Sequence, residues 1–166
     1  MRKISAKSIE NAAVFYLRRY SASVKQLQLV LKRKCQRVNR ERKEEVDFAP
    51  LVEEVVGKLE KLGYLNDAAL AVSKASSLRR SGKSARMIRS KLQVKGLGAQ
   101  TAAVHEPKAD ETAIWVYARK KRLGVFAPAG VRKEKRMKHL ASLARAGFSF
   151  SLAKLVVDAT EVPEDL

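Results

Sequence analysis

The sequence predicts an all-α protein, an elongated tandem array of three three-helix units with about nine helices. Three observations carry that prediction. Apolar residues recur at three- and four-residue spacing along most of the chain, the apolar/polar alternation of a half-buried strand is nearly absent, and one short pattern of letters returns three times.

The elements follow in order. Ser8 is placed to cap a first helix whose apolar face is Ile9, Ala12, Ala13, Tyr16, Leu17 and Tyr20. Ser23 and Gln26 form an S-x-x-Q capping box that opens a second helix, with Leu27, Val30 and Leu31 on one face. The run RVNRERKEEV, residues 37–46, is almost wholly charged and reads as a solvated helix end and connector. Pro50 suits the first turn of a third helix carrying Leu51, Val52, Val55, Val56, Leu59 and Leu62, which stops at Gly63. Asn66 or Asp67 caps a fourth helix that runs through Ala71, Ala75 and Leu78 to Gly82. Ser84 then caps a fifth, through Ile88 and Leu92 to Gly96. A short helix from about Ala99 to His105 should end before Pro107, because the residue ahead of a proline is pushed out of the helical region. Asp110 caps the next helix, through Ile114, Trp115, Tyr117 and Ala118 to Gly124. The loop GVFAPAG follows, then a helix with Met137, Leu140 and Leu143 ending at Gly147, and a last one from about Ser151.

The repeat is legible in letters. YLRRYS (16–21), SLRRSG (77–82) and ARKKRLG (118–124) each close a first helix in a basic cluster. LVLKRKCQR, IRSKLQVKGLG and LASLARAGFS then each run towards a stop, with Leu31, Leu92 and Leu143 four residues before Cys35, Gly96 and Gly147. Glycine adopts the left-handed helix cap at no steric cost, so Cys35 at that position marks a second helix that runs on in the first unit. The expected units are residues 8–63, 64–107 and 108–160, with 1–7 and 161–166 as flexible termini.

Charge narrows the class of partner. The 166 residues hold 35 Lys plus Arg against 17 Asp plus Glu, a formal net charge of +18, and 46% of them are apolar, enough for a core that forms without a cofactor. The basic excess is present in residues 1–47, 48–107 and 108–166 alike, so no single basic tail accounts for it. Such a surface attracts polyanions, nucleic acid first among them. No apolar run approaches the roughly 20 residues needed to span a bilayer, and MRKISAKSIEN lacks a signal-peptide core, so a membrane is not an expected partner. The single cysteine, Cys35, excludes an internal disulfide framework and fits a cytoplasmic compartment.

LGYLNDAALA (62–71), SLRRSGKSARMIRSKLQVKG (77–96), ARKKRLG (118–124) and LARAGFSF (143–150), in this order and spacing, resemble the RecX family of bacterial regulators of the RecA recombinase, over about residues 8–160. The resemblance implies three tandem three-helix units in a curved, elongated protein that binds in the groove of the RecA filament on single-stranded DNA. It further implies inhibition of ATP hydrolysis, strand exchange and co-protease function. The expected partners are that filament and DNA, single-stranded and weakly duplex. The chain is expected to act as a monomer, without enzymatic activity of its own.

Other chemistries are less well supported. Gly82-Lys83-Ser84 matches the end of a P-loop, but G-x-x-x-x-G-K-[ST] needs glycine where Ser77 stands, and a strand before it where the pattern is helical. A glycine stop and a serine cap joining two helices is the plainer account. His105 and His139 have no metal-ligand spacing with each other or with Cys35, so no metal site is expected. Cys35 in a basic helix reads as a small core filler rather than a nucleophile, and Glu53-Glu54 as i, i+4 partners of Lys58. Tyr16, Tyr20, Tyr64, Trp115, Phe148 and Phe150 sit on apolar spacing or at helix junctions, which favours core packing over base stacking.

The basic clusters are the candidate filament- or DNA-binding residues: Arg18 and Arg19; Arg79, Arg80, Lys83, Arg86 and Arg89; Arg119, Lys120, Lys121 and Arg122; and Arg132 and Arg136, with Lys138 beside them. Their recurrence at one place in each unit would line them along one side of a solenoid. The competing reading is a stand-alone helical DNA-binding module over 67–96. Its basic helix SARMIRSKLQVK is suited to gripping phosphates rather than reading bases.

Overall fold

The computed structural model describes residues 4–43, 45–104, 106 and 108–164, and among these it is all helical with no strand. Among the described residues nine α-helices follow one another: α1 (Ala6–Leu17), α2 (Val24–Arg42), α3 (Ala49–Lys61), α4 (Asp67–Arg80), α5 (Ala85–Val94), α6 (Ala109–Lys121), α7 (Ala129–Arg132), α8 (Arg136–Arg145) and α9 (Phe150–Asp158). Short 3₁₀ turns lie at Gly98–Gln100 and Gly124–Phe126. The chain divides into two compact units, Met1–Ala71 with Val94–Gln100, and Val72–Gln93 with Thr101–Leu166.

Local signals place most helix ends where the sequence predicts them. Ser23 caps α2 with its full capping box to Gln26, Pro50 lies in the first turn of α3, and Ser84 caps α5. Two starts differ from the expected caps, those of α1 and α6. α1 opens at Ala6 because Ser5 is the cap and Ser8, three residues on, completes a capping box with it. Asn66 is the cap of α4, its Oδ1 accepting from the Ala69 amide at 2.9 Å, which frees Asp67 for another task. Asp110 sits in the first turn of α6 rather than capping it, and α9, expected from about Ser151, begins at Phe150 with Ser149 as its cap. The expected helix over 99–105 reduces to the 3₁₀ turn and further turns through Val104; His105 and Pro107 lie outside the described residues. Within GVFAPAG, a 3₁₀ turn covers Gly124–Phe126 and α7 begins at Ala129.

In the first unit, α1, α2 and α3 enclose a core of Ile9, Ala13, Leu27, Leu31, Cys35, Val52, Val55, Val56 and Leu59, joined by Leu65. α2 presents Leu27, Leu31 and Cys35 at i, i+4, i+8 and carries on, solvated, to Lys43. With no glycine at the end, Lys43 itself adopts the left-handed conformation, φ 57°, at a cost of about 1–2 kcal/mol. In the second unit, Ile114, Trp115 and Ala118 of α6, Leu140 and Leu143 of α8, and Ala153, Val156 and Val157 of α9 form the corresponding core. Leu31, Leu92 and Leu143, matched in the repeat, are all buried, each at 1% exposure or less. Burying a leucine contributes about 1.5–3 kcal/mol.

One joint occurs twice, once inside each unit. In the first, the Ser23 hydroxyl donates to the Lys95 carbonyl at 2.5 Å, the Val24 amide donates to Asp67 Oδ1 at 3.0 Å, and Gly96 (φ 78°) lies against Lys25, so that an added Cβ would sit 2.6 Å from the lysine Cβ. In the second, the Ser84 hydroxyl donates to the Ala146 carbonyl at 2.6 Å, the Ala85 amide donates to Asp110 Oδ1 at 2.6 Å, and a Cβ on Gly147 (φ 92°) would come 2.6 Å from Ser84 Oγ and 3.2 Å from Arg86 Cβ. The serine, the aspartate and the glycine therefore act together. The serine and aspartate satisfy amides at one helix N-terminus, and the glycine lets the end of another helix approach it.

Ion pairs cross between helices. Lys58 of α3 reaches Glu10 of α1 at 2.9 Å, and Glu53 of α3 reaches Lys32 of α2 at 3.0 Å. The i, i+4 partnership of Glu54 or its neighbour with Lys58 is thus replaced by partners from packed helices, which tie α3 to both of its neighbours.

Candidate nucleic-acid interface

Arg18 and Arg19 follow the last turn of α1 and are exposed. The Arg19 guanidinium lies 4.5 Å from the centroid of the Phe15 ring, a cation over an aromatic face. Phe15 is 59% exposed and Tyr20 57%, so this helix end carries both aromatic and basic groups in solvent. The packing role expected of the aromatics holds for Trp115 and Phe148, which are buried, but not for Tyr20, Tyr64 and Phe150, each more than half exposed. Tyr20 lies beyond the end of α1 and Phe150 at the first position of α9, where helical periodicity no longer aims a side chain inward.

In the second unit, the first-turn amides that follow Gly82-Lys83-Ser84 are engaged with protein groups. Ahead of them lies α4, a helix rather than a strand. The Ala85 amide is taken by Asp110 and the Met87 amide by Ser84 Oγ at 3.2 Å, leaving neither of these first-turn amides to cradle a phosphate. Lys83 instead borders a small open cleft of about 210 Å³ with Tyr117, Ser142 and Arg145.

The candidate cations fall into two groups by what they touch. Three hold the protein itself. Arg79 is half-buried, donating to the Val104 carbonyl and pairing with Glu106 at 3.0 Å; Arg132 donates to the Ala127 and Val125 carbonyls at 2.8 and 2.6 Å; Arg136 grips both oxygens of Asp158 at 2.7 Å. Arg80, Arg86, Arg89, Arg119, Lys120, Lys121 and Arg122 are exposed, and Lys83 is half-exposed. Of these, Arg80 bonds Ser76 Oγ at 2.8 Å, Lys120 donates to the Ser81 carbonyl at 3.1 Å, and Arg119 lies 5.4 Å from the Phe126 centroid. Arg86 and Arg89, three apart on α5, make no ion pair among the described residues.

Two side chains missing from the sequence-based candidates belong with them. Arg145 joins Lys83 at the cleft, and Phe15 joins Arg19. Arg145 was legible as one more cation in LARAGFS. Phe15 was legible as an apolar residue off the Ile9–Ala12–Ala13–Tyr16 stripe, a departure that signals exposure.

The titratable core groups have structural surroundings. Burial pushes the Cys35 thiol up from its ordinary value, with Lys34 opposing, which suppresses the nucleophilic thiolate. Burial pushes the His139 imidazole down, with Lys135 adding to the effect, and its Nδ1 accepts from the Gly124 amide at 3.2 Å. No cluster of three or more potential metal ligands occurs among the described residues, and no helix there is long and apolar enough to cross a membrane.

Tandem helices joined by repeated serine–aspartate–glycine contacts, with cations outside and the thiol buried, define a basic all-helical repeat protein. The chain is 46% identical to Regulatory protein RecX of Myxococcus xanthus over 95% of its length and 88% of the relative's. It is 33% identical to Regulatory protein RecX of Agrobacterium fabrum, over 94% and 85% respectively. It belongs to the RecX family of regulatory proteins. No protein-family model matches the chain, and no solved structure does.

Proposed function

We propose that the chain regulates recombination by binding the RecA filament on single-stranded DNA and inhibiting its ATP hydrolysis, strand exchange and co-protease function, without catalysis of its own. The observation that carries this reading is similarity to proteins named Regulatory protein RecX along nearly the whole chain. Exposed cations on α4, α5 and α6 support the mechanism: they are chemically matched to phosphates and to acidic protein surfaces. A basic helical array lying along the filament would obstruct a second DNA strand and hinder the subunit motions that accompany ATP turnover. We place the three-helix units at 8–63, 64–107 and 108–160 and treat the protein as a cytoplasmic monomer.

The deciding experiment is the ATPase activity of a RecA recombinase on single-stranded DNA with this protein added. Loss of hydrolysis is expected; unchanged hydrolysis on an intact filament rejects the reading. Reversing charge at Arg80, Arg86 and Arg89 should weaken filament binding with helicity retained. Arg79 is left unaltered in that test because it braces Val104 and Glu106.

The joined helices α4 and α5, with Arg86 and Arg89 exposed on the second, favour a second reading, a DNA-binding module acting alone. It predicts DNA affinity that falls steeply with salt, and no effect on recombinase ATPase.

A further inference from the structure

We propose that the end of α1 is a stacking platform for an unpaired base of single-stranded nucleic acid, with the Phe15 ring as its face and Arg19 as its backing. This rests on the DNA part of the function proposed above and adds a specific site to it.

The platform is built from neighbouring observations in the first unit. Phe15 is 59% exposed on a well-formed helix. Such a ring offers a flat apolar face to solvent at a position where burial is not its role. Arg19 lies 4.5 Å from its centroid. Phe15 also lines an open groove of about 670 Å³ between α1 and α2, whose lining does not include Arg19. The guanidinium lies against the ring without lining the groove, and the ring borders the space within it. The groove is large enough for a nucleotide.

The chemistry around the groove fits that occupant. Its floor includes apolar Leu31 and buried Cys35, while Lys7, Asn11 and Lys34 also line it. Lys7, Asn11, Phe15 and Arg19 follow one another at four-residue spacing, so they track one side of α1 and the turn after it. No carboxylate is among the described residues that line the groove. Two lysines are available for phosphates, an amide for a base edge, and a ring for the base face. Duplex DNA hides its base faces in the stack, so the aromatic face selects single strands, with cation–π support from the arginine. The net charge of +18 favours a polyanion over a neutral peptide in the same groove.

The test uses the full chain and three probes: oligo(dT), an abasic oligonucleotide of equal length, and a hairpin duplex. Phe15→Ala should weaken oligo(dT) binding roughly 5- to 150-fold, the span of one base–aromatic stack, and leave abasic and duplex binding unchanged. Because Phe15 is exposed, helicity should be retained, and circular dichroism checks it. Trp115 is the chain's one tryptophan and is buried. A Phe15→Trp variant therefore adds a solvent-exposed emitter, whose fluorescence should be quenched by oligo(dT) and not by the abasic strand. Equal oligo(dT) affinity of wild type and Phe15→Ala, or unquenched Trp emission at saturation, overturns the platform while leaving DNA binding and recombinase inhibition intact. No oligonucleotide binding by wild type overturns the platform and the DNA contact together, and recombinase ATPase inhibition is scored separately. Loss of that inhibition in Phe15→Ala with oligo(dT) affinity retained would assign the ring to a protein contact and also overturn the proposal.

Discussion

The Ser84 hydroxyl donates to the carbonyl of Ala146, 62 residues away, at 2.6 Å, and both residues are buried. The same oxygen accepts from the Met87 amide, so one atom caps α5 and anchors the end of α8. Replacing it removes a cap and leaves a buried carbonyl without its partner. Ser84→Ala is therefore expected to cost about 2–3 kcal/mol, read as a lowered midpoint in denaturant unfolding. Ser23→Ala should act in the same direction in the first unit, through the Lys95 carbonyl.

Gly147 and Gly57 should respond to alanine with opposite signs. Gly147 has φ 92°, and a Cβ there would lie 2.6 Å from Ser84 Oγ, so Gly147→Ala combines backbone strain with a clash inside the joint. A loss of more than about 1 kcal/mol is expected. Gly57 lies inside α3 with open space where a Cβ would go, so Gly57→Ala should stabilise by about 0.5–1 kcal/mol. Thermal unfolding of the two variants beside wild type checks both signs.

Acid should weaken the second unit in a window belonging to His139. The folded protein holds this imidazole below its ordinary value of 6.5, because burial disfavours the charged ring and the nearby Lys135 adds to the effect; its Nδ1 accepts from the Gly124 amide. Its contribution is fully present above about pH 6.5. As pH falls through that value the unfolded chain takes up a proton that the folded one refuses, and stability declines until the folded group titrates as well. Thermal midpoints between pH 8 and 5 should show this decline, and His139→Asn, which keeps an acceptor but has no proton to bind, should flatten it. Asp158, held below its ordinary 3.8 by its hydrogen bonds and attraction to Arg136, acts in a separate window at lower pH.

Cys35 should report on opening of the first unit rather than on chemistry. It is 4% exposed and its thiol is pushed up by burial. Labelling by a thiol reagent near pH 8 should be slow in the native protein and fast in denaturant. Cys35→Ala should retain any inhibition of recombinase ATPase, whereas a catalytic thiol would make that substitution abolish activity.

Much of the helical layout depends on residues close together in the chain, and that part was legible. Ser23 with Gln26, Pro50, Gly63 and Ser84 act within one turn of a helix, so their spacing alone locates starts and stops. The matched positions Leu31, Leu92 and Leu143 were legible for the same reason, since helical geometry puts residues four apart on one face. Tertiary structure decided the partners. Asp67 and Asp110 became acceptors for the Val24 and Ala85 amides, 43 and 25 residues away, and Lys58 turned to Glu10 instead of a neighbour on its own helix. It also separated the basic residues into two sets: Arg79, Arg132 and Arg136 are spent on carbonyls and carboxylates of the protein, while Arg86 and Arg89 are left to solvent. Helix periodicity sets which way a side chain leaves its own axis. What it meets there depends on the packing of distant segments, and no local window of sequence contains that information.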